Sequence, residues 1–208
     1  KEMFEKGKAD GWEEKKLQDI CEKITDGSHN PPKSCEGSKL MMLSGRNIRD
    51  NKLDFEKVRF VSEKDFIKED KRTNIQAGDV LLTIVGSIGR SFVFPKGSPK
   101  VIFQRSVAVI KPHSILNPHF LSYFFKSPKS QEKLNTQARG AAQKGVYLKD
   151  IRGLQLLLPN IETQNEKVLF LDKNNLKAKQ TQSKLEEQLA YLKQLKSSIL
   201  SKAFKGEL

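Results

Sequence analysis

The chain has 208 residues, with 38 Lys or Arg against 25 Asp or Glu, which gives a formal net charge of +13 and a pI near 9.7. This length suits one compact domain with an appendage or two small domains, and the positive charge points first to nucleic acid as a partner. No segment approaches 18 consecutive apolar residues and the basic residues form no single amphipathic face, so membrane binding is not predicted.

The basic surplus is concentrated before the last quarter of the chain. Residues 160–208 hold nine lysines, no arginine and six acidic residues, so +10 of the net charge and all eight arginines lie in residues 1–159. The two cysteines, Cys21 and Cys35, stand in no CxxC pair and beside no histidine cluster, which predicts neither a zinc site nor a disulfide framework. A cytoplasmic location is expected, and no signal peptide is visible.

The N-terminal part of the chain contains a lead-in, a short helix and a loop. Residues 1–11 are charged and punctuated by glycine, and Trp12 is expected to anchor them. Apolar residues within 17–24 have helical spacing and predict a short helix that stops at Asp26-Gly27. Residues 28–38, with Pro31-Pro32 and Gly37, are predicted to form a loop.

The next segment is predicted to be a mixed α/β domain, because short apolar runs alternate with Gly, Pro, Asn and Asp turns. One helix is expected to start at Ser62, whose hydroxyl can cap it, with Asp65 three residues later. Another is expected over residues 118–126, resuming after Pro128 towards Ala138. The predicted strands are residues 40–43, 58–61, 80–85, 91–94, 101–103, 107–110 and 154–158.

The last quarter of the chain predicts one long helix. After Pro159, about 45 residues contain no proline and only one glycine, Gly206, and the apolar steps alternate between three and four as in a heptad repeat. A helix over residues 162–204 would be about 60 Å long, more than a domain of this size needs to close its core. The seam comprises Val168, Leu171, Asn175, Ala178, Gln182, Leu185, Leu189, Leu192, Lys196, Ile199 and Ala203.

Three polar residues of this seam, Asn175, Gln182 and Lys196, share the heptad position a if Val168 opens the register. Polar residues at that position lower stability but fix register and oligomeric state. The helix is therefore interpreted as a spacer that requires a partner. The alternative is an amphipathic helix folded back on the domain, against which a length beyond about 25 residues argues.

Motifs that would suggest catalysis are weak. Asn30-Pro31-Pro32-Lys33 resembles the tetrapeptide that holds the target amino group in adenine methyltransferases, but Lys33 replaces the aromatic ring that stacks on the flipped base, and no glycine-rich cofactor turn precedes it. Residues 86–90, Gly-Ser-Ile-Gly-Arg, are better explained as a hairpin turn than as a phosphate cradle. The three histidines are scattered, and no nuclease-like carboxylate pattern occurs. No catalytic residue and no metal site are predicted.

Several loops instead carry side chains that suit DNA. Arg can fork onto guanine and Asn or Gln onto adenine, while Lys and Ser can hold phosphates. For any one of these side chains, a solvated surface or a turn-capping role is an open alternative. The candidate DNA-binding residues are Lys33, Arg46, Asn47, Arg90, Gln104, Arg105, Ser106, Arg139, Gln143 and Lys144.

An ordered series of short motifs runs through nearly the whole chain. It resembles the specificity (S) subunits of type I restriction-modification systems; no single motif is diagnostic, but the series with its closing helix is specific. The motifs are Trp12, Leu17-Gln-Asp-Ile20, Thr25-Asp-Gly27, Leu43-Ser-Gly-Arg46-Asn47-Ile48, Gln76-Ala-Gly-Asp79-Val-Leu-Leu-Thr83, Gly86-Ser-Ile-Gly89, Gln104-Arg105-Ser106-Val107-Ala108-Val109, Gly145-Val-Tyr-Leu148, Ile151, Leu156-Leu157-Leu158-Pro159, Ser198-Ile199-Leu-Ser201 and Ala203-Phe204-Lys-Gly206-Glu-Leu208.

The resemblance implies an α+β target recognition domain over residues 12–158 and a conserved-region helix over residues 159–208, which would form an antiparallel coiled coil. Complete S subunits usually hold two such units, so this chain is expected to be a half-length subunit that homodimerises, or one half of a longer subunit. A symmetric dimer would read an interrupted, symmetric DNA sequence. The expected dimerisation residues are Leu171, Asn175, Gln182, Leu185, Leu189, Leu192 and Ile199.

The resemblance also implies partners: double-stranded DNA, the methylation subunits and the restriction subunit. S-adenosylmethionine, ATP and Mg²⁺ would belong to those partner subunits, and the chain itself would be non-catalytic and bind no cofactor. Two alternatives stay open. The chain could be the C-terminal recognition fragment of a fused restriction-methylase enzyme, or a scaffold that binds acidic protein through its helix.

Overall fold

A computed structural model describes residues 11–49, 52–141 and 143–206. The chain divides between Asn165 and Glu166 into two units, which are described separately. The first is a mixed α and β domain, and the second consists of the long C-terminal helix, so the predicted α+β domain followed by a long helix is confirmed, while the coiled coil stays a prediction. The predicted lead-in lies outside the described residues except for Gly11.

The strands and helices within the described ranges follow in chain order. The strands are β1 (Glu13–Lys16), β2 (Cys21–Asp26), β3 (Met41–Leu43), β4 (Ile48–Arg49), β5 (Lys52–Leu53), β6 (Arg59–Phe60), β7 (Val80–Thr83), β8 (Ser91–Val93), β9 (Val101–Phe103), β10 (Val107–Pro112) and β11 (Gln155–Leu158). The helices are α1 (Leu17–Ile20), α2 (Glu63–Thr73), α3 (Pro118–Lys126), α4 (Pro128–Gln137), α5 (Leu148–Arg152) and α6 (Ile161–Lys205), and a 3-10 turn covers Gly45–Asn47.

An antiparallel sheet of order β2-β10-β7-β8 lies at the centre of the domain. All four residues of β7 and the first four of β10 are buried, as expected for strands whose apolar runs do not alternate with polar residues. A second sheet of order β6-β3-β9 contains a parallel pair, β3 with β9. Residues from both sheets form one core cluster, comprising Leu43, Ile48, Leu81, Phe94, Val101, Phe103, Val107 and Val109.

The short helix predicted over residues 17–24 is wrong in its second half. Helix α1 ends at Ile20, and β2 begins at Cys21 and pairs with the central strand β10. In β2 the buried positions include Ile24 and Asp26, and burial raises the pKa of the Cys21 thiol to about 12. The sheet partner, which lies more than 80 residues away in sequence, overrides the local helical spacing.

The predicted start of α2 is confirmed. The hydroxyl of Ser62 accepts a hydrogen bond from the Asp65 backbone N–H at 3.2 Å, which satisfies one of the free donors of the first turn. The helix ends at Thr73, and the C-cap residue Asn74 has a φ of 42°, which lies in the left-handed region. The hairpin turn predicted at residues 86–90 is also confirmed, since β7 and β8 pair antiparallel across it.

Helices α3 and α4 follow the predicted interruption at Pro128. The Asn117 carboxamide caps α3 by accepting bonds from His119 and Phe120, and Ser127 caps α4. The ring of Trp12 meets Phe120 edge-on at a centroid distance of 6.4 Å.

Helix α6 runs without interruption over 45 residues, which corresponds to about 68 Å. The Asn160 carboxamide oxygen accepts a bond from the Thr163 N–H at 2.8 Å and caps its first turn. Gly206, with a φ of 71°, follows its last residue. None of the described helices combines the length and apolar character that crossing a membrane requires.

Candidate nucleic-acid interface

The parallel pairing of β3 with β9 brings two of the predicted DNA-binding loops together. The carboxyl ends of parallel strands lie at the same edge of a sheet, so the loop that follows Leu43 and the loop that follows Phe103 are neighbours. The Gln104 backbone N–H donates to the Leu43 carbonyl at 2.8 Å and continues the pairing one residue further.

These loops line a cleft of about 540 Å³, which we call the arginine cleft. Five of the ten candidate DNA-binding residues lie here: Arg46, Gln104, Arg105, Ser106 and Gln143. The remaining lining residues are His29, Pro31, Ser44, Gly45, Val85, Gly86 and Ser87. An adjoining cavity of about 570 Å³ shares His29, Val85, Arg105 and Gln143 with the cleft.

The arginines of the domain differ in how they are used. Six of the eight donate hydrogen bonds or form ion pairs within the domain: Arg49, Arg59, Arg72, Arg90, Arg139 and Arg152. The guanidinium groups of the other two, Arg46 and Arg105, have no hydrogen-bond or ion-pair partner among residues 11–49, 52–141 and 143–206, and both side chains are exposed. Both belong to the arginine cleft, so two guanidinium groups remain available there for an external ligand.

Gln104 and Gln143 supply carboxamides to the same cleft. Gln104 is half-buried and Gln143 is exposed. A carboxamide presents a donor and an acceptor side by side, and a guanidinium presents parallel donors. Together these groups can form paired hydrogen bonds with the edges of bases.

The Asn47 side chain is instead buried and hydrogen-bonded within the domain. It is only 3 % exposed, and its Nδ2 donates to the carbonyls of Asp54 and Lys57 at 2.9 and 3.3 Å. Its Oδ1 accepts the Ser44 N–H at 2.9 Å and closes a capping box around the 3-10 turn. Its carboxamide is thus committed to holding the loop that carries Arg46, and we leave it out of the interface.

The other candidate residues lie outside the arginine cleft. Arg139 lines the adjoining cavity, where its guanidinium lies 5.8 Å from the centroid of the Tyr147 ring. Arg90 donates to the Ile48 carbonyl at 3.3 Å and lines a separate cavity. Lys33 and Lys144 are exposed and line neither the cleft nor the adjoining cavity.

A polar cluster beside the cleft has no local sequence signature. The carboxylate of Asp26, itself buried, accepts a bond from the Arg72 guanidinium, and it lies 2.7 Å from the Nε2 of His29. Arg72 also donates through Nε to the Asp26 carbonyl at 2.9 Å. These residues come from β2, the following loop and the end of α2, so only the tertiary fold brings them together. Within the described ranges, no group of His, Cys, Asp and Glu side chains could hold a metal ion.

Gly27 lets the loop after β2 pack against the end of β9. A Cβ built on Gly27 would lie 2.0 Å from the Phe103 carbonyl oxygen and 2.6 Å from that of Gln104. Backbone bonds fix the contact on either side, from the Ser28 N–H to Phe103 at 2.8 Å and from the Arg105 N–H to Ser28 at 2.9 Å. The loop that carries Arg105 is therefore held on two sides.

The candidate dimerisation residues lie along α6. Leu185, Leu189, Leu192 and Ile199 are between 48 % and 59 % exposed, and their spacing places them in one apolar row along the helix. Asn175 and Gln182 are exposed, and Leu171 is half-buried. The Gln182 carboxamide donates to Glu186 at 2.9 Å, one turn along the same helix.

Comparison with known sequences identifies related proteins. The family described as Type I restriction modification DNA specificity domain matches residues 9–199. The chain is 34 % identical over 163 residues to the type I restriction enzyme EcoBI specificity subunit of Escherichia coli, covering 78 % of this chain and 34 % of that protein. It is 28 % identical over 203 residues to the EcoKI specificity subunit of Escherichia coli strain K12, covering 92 % and 42 %. The chain thus spans about two fifths or less of these relatives.

Solved structures share the fold. A chain from a study of complex assembly and conformational transition of the type I R-M system superposes with a TM-score of 0.72 and 22 % identity, covering 95 % of this chain and 47 % of that one. The HsdS subunit from Thermoanaerobacter tengcongensis has a TM-score of 0.59, also at 22 % identity, covering 95 % and 46 %. The family match extends over most of the chain and the same architecture recurs in these structures, so this protein belongs to the type I restriction modification DNA specificity domain family.

Proposed function

We propose that this chain is a non-catalytic DNA-reading unit of a type I restriction-modification complex and recognises one half of a bipartite site. One observation carries the proposal: the two arginines without a partner in the described part of the chain, Arg46 and Arg105, both line the cleft that also contains Gln104 and Gln143. Guanidinium and carboxamide groups are the side chains best suited to forming paired hydrogen bonds with guanine and adenine.

The surrounding charge supports DNA rather than a small molecule as the ligand. Of the net charge of +13, a surplus of +10 lies in residues 1–159. Lys33 and Lys144 are exposed near the sequence positions of cleft residues and are suited to phosphate contacts. Phosphate contacts would set the register of the domain on the duplex, while the cleft side chains distinguish bases.

The long helix supports a paired arrangement. A row of half-exposed leucines along α6 is typical of a surface that a second helix covers. We assign residues 12–158 to target recognition and 159–208 to pairing and spacing. The second helix belongs to another copy of this chain in an antiparallel coiled coil, and the two copies place two reading domains on a split site.

The same assignment implies the partners of the complex. The methylation subunits would supply the S-adenosylmethionine chemistry and the restriction subunit would use ATP and Mg²⁺, in the cytoplasm where the DNA lies. The chain itself would contribute no catalytic residue and hold no cofactor.

The proposal is tested by selecting duplexes from a randomised library with the full chain and measuring their affinity at several salt concentrations. We expect enrichment of an interrupted motif, and a logarithm of the association constant that falls linearly with the logarithm of salt concentration. Selection of no motif would contradict sequence reading. Binding of an acidic protein with no affinity for DNA would instead favour the scaffold.

The chain covers only 34 % and 42 % of its curated relatives, which is compatible with a longer parent polypeptide. A second candidate is the recognition fragment of a fused restriction-methylase enzyme. A reading frame that extends upstream into a methyltransferase domain with an Asn-Pro-Pro-aromatic motif would support this candidate over a free subunit.

A further inference from the structure

Ser106 lines the arginine cleft and links the two loops that carry Arg46 and Arg105. Its hydroxyl oxygen accepts a hydrogen bond from the Gly45 backbone N–H at 2.9 Å, across 61 residues of sequence. Gly45 opens the 3-10 turn that contains Arg46, and Ser106 directly follows Arg105. This bond links the two loops through a side chain. The backbone bond from the Gln104 N–H to the Leu43 carbonyl adds a second link.

Ser106 is itself held firmly by the central sheet. Its carbonyl accepts the Ile84 N–H at 2.9 Å, and the next residue, Val107, is fully buried as the first residue of β10. The Gly45 backbone is buried as well. The hydrogen bond to this hydroxyl therefore holds the turn that carries Arg46 in a fixed position relative to the sheet.

We propose that Ser106 is a positioning residue, which couples Arg46 and Arg105 into one reading unit so that the two guanidinium groups discriminate between DNA sequences cooperatively. The inference rests on the proposed function. Paired hydrogen bonds to a base edge require donors that are held within about 0.5 Å of the productive geometry. A loop that loses its link to the sheet samples a wider range of positions. Ser106 contacts no base in this account and acts through Arg46.

The test is a double-mutant cycle on the full chain, with a duplex selected from a randomised library and its single-base-pair variants as probes. Arg46→Ala and Arg105→Ala are measured singly and together, first with Ser106 present and then in Ser106→Ala. With Ser106 present we expect the combined loss of discrimination to differ from the product of the single losses by at least about threefold. In Ser106→Ala the losses should multiply, and discrimination should fall about fivefold, the size expected for one lost hydrogen bond.

Three variants separate positioning from general damage. Ser106→Thr keeps the hydroxyl and should retain the coupling. Ser106→Cys has nearly the same size but a weak acceptor and should lose the coupling, which keeps the test valid if Ser106→Ala does not fold. Ser38→Ala removes a comparable serine hydroxyl outside the cleft, which accepts the Leu40 backbone N–H at 3.1 Å, so it should retain the coupling.

If the coupling persists unchanged in Ser106→Ala and Ser106→Cys, the positioning role is overturned. The proposal that the domain reads DNA is not affected by that result. If the parent chain does not distinguish the selected duplex from its variants at all, the proposed function fails and this inference with it. The two failures are distinguished by the parent protein alone.

Discussion

At the scale of single residues, the proposed base contacts come from side chains that the fold leaves unpaired. Arg105 follows β9, its backbone N–H is bonded to Ser28, and its guanidinium has no partner in the described part of the chain. Arg46 lies in the 3-10 turn that follows β3, and its guanidinium likewise has no partner in the described part of the chain. The domain uses its other arginines for internal contacts and leaves these two in one cleft. The cleft can therefore donate hydrogen bonds to an external acceptor.

Replacing Arg105 by alanine is expected to relax specificity at one base pair. Losing a bidentate contact to a base costs about 1–3 kcal/mol for the cognate sequence and little for the others. Fluorescence anisotropy with a set of single-base-pair variants measures this. Lys33→Ala is the control, and it should weaken binding to all sequences about equally. A uniform loss in Arg105→Ala would mean that Arg105 contacts phosphate only.

The buried ion pair between Lys111 and Asp79 is expected to matter for stability rather than for reading. Their side chains are 13 % and 8 % exposed, the Nζ–Oδ2 distance is 2.5 Å, and Asp79 also accepts the Gln76 N–H. Asp79→Ala removes the counter-charge of Lys111, whose ammonium would keep its hydrogen bond to the Asn74 carbonyl at 2.8 Å, and should lower the free energy of unfolding by about 3 kcal/mol.

Urea denaturation followed by circular dichroism measures that loss. The matched control is Glu13→Ala, which removes the exposed ion pair with Lys15 and should leave the free energy of unfolding nearly unchanged. Equal effects of the two substitutions would contradict a special contribution of the buried pair.

At the scale of elements, strongly periodic or clearly capped segments could be predicted from the sequence. The cap at Ser62, the hairpin between β7 and β8 and the long helix need only local information. Strand β2 could not be predicted, because its pairing with β10 overrides a locally helical spacing. Gln164 is a similar case: it is fully buried and bonded to Asn117 and Ile115, yet its sequence context is that of an ordinary polar helix residue.

The sequence predicts which kinds of side chain form the candidate site, but not which individual residues belong to it. Arg46 and Arg105 have the residue type and loop position that indicate base contacts, and the structure places them in one cleft. Asn47 also has a residue type and a loop position that indicate base contacts, but its carboxamide is hydrogen-bonded to Ser44 and Asp54. The Asp26, His29 and Arg72 cluster could not be predicted, since it depends on three segments meeting in space.

Helix α6 is expected to pair through its leucine seam. Changing Leu185, Leu189 and Leu192 to glutamine together removes apolar surface from consecutive seam positions and should separate the dimer, while the first unit stays folded. Sedimentation velocity measures the dissociation. Changing Leu169, Leu176 and Tyr191, which are exposed but lie off the seam, should leave the dimer intact. A seam variant that remains dimeric would refute the pairing.

At the scale of the whole molecule, the proposed DNA-reading and spacing roles fall on separate parts of the chain. The first unit carries the arginine cleft, and the second is a helix whose length suits a spacer. If two copies pair through their helices, the distance between two half-sites is set by the protein and not by the DNA. Specificity would then depend on spacer length as much as on base identity.

The most direct test measures the affinity of the intact chain for duplexes that carry two inverted copies of its selected half-site, with the spacer varied one base pair at a time. We predict one preferred spacer, and a steep loss of affinity when about five base pairs are added, because the second half-site then rotates by about half a turn of the duplex. Equal affinity at all spacers, or for a single half-site, would contradict the account of a paired reader.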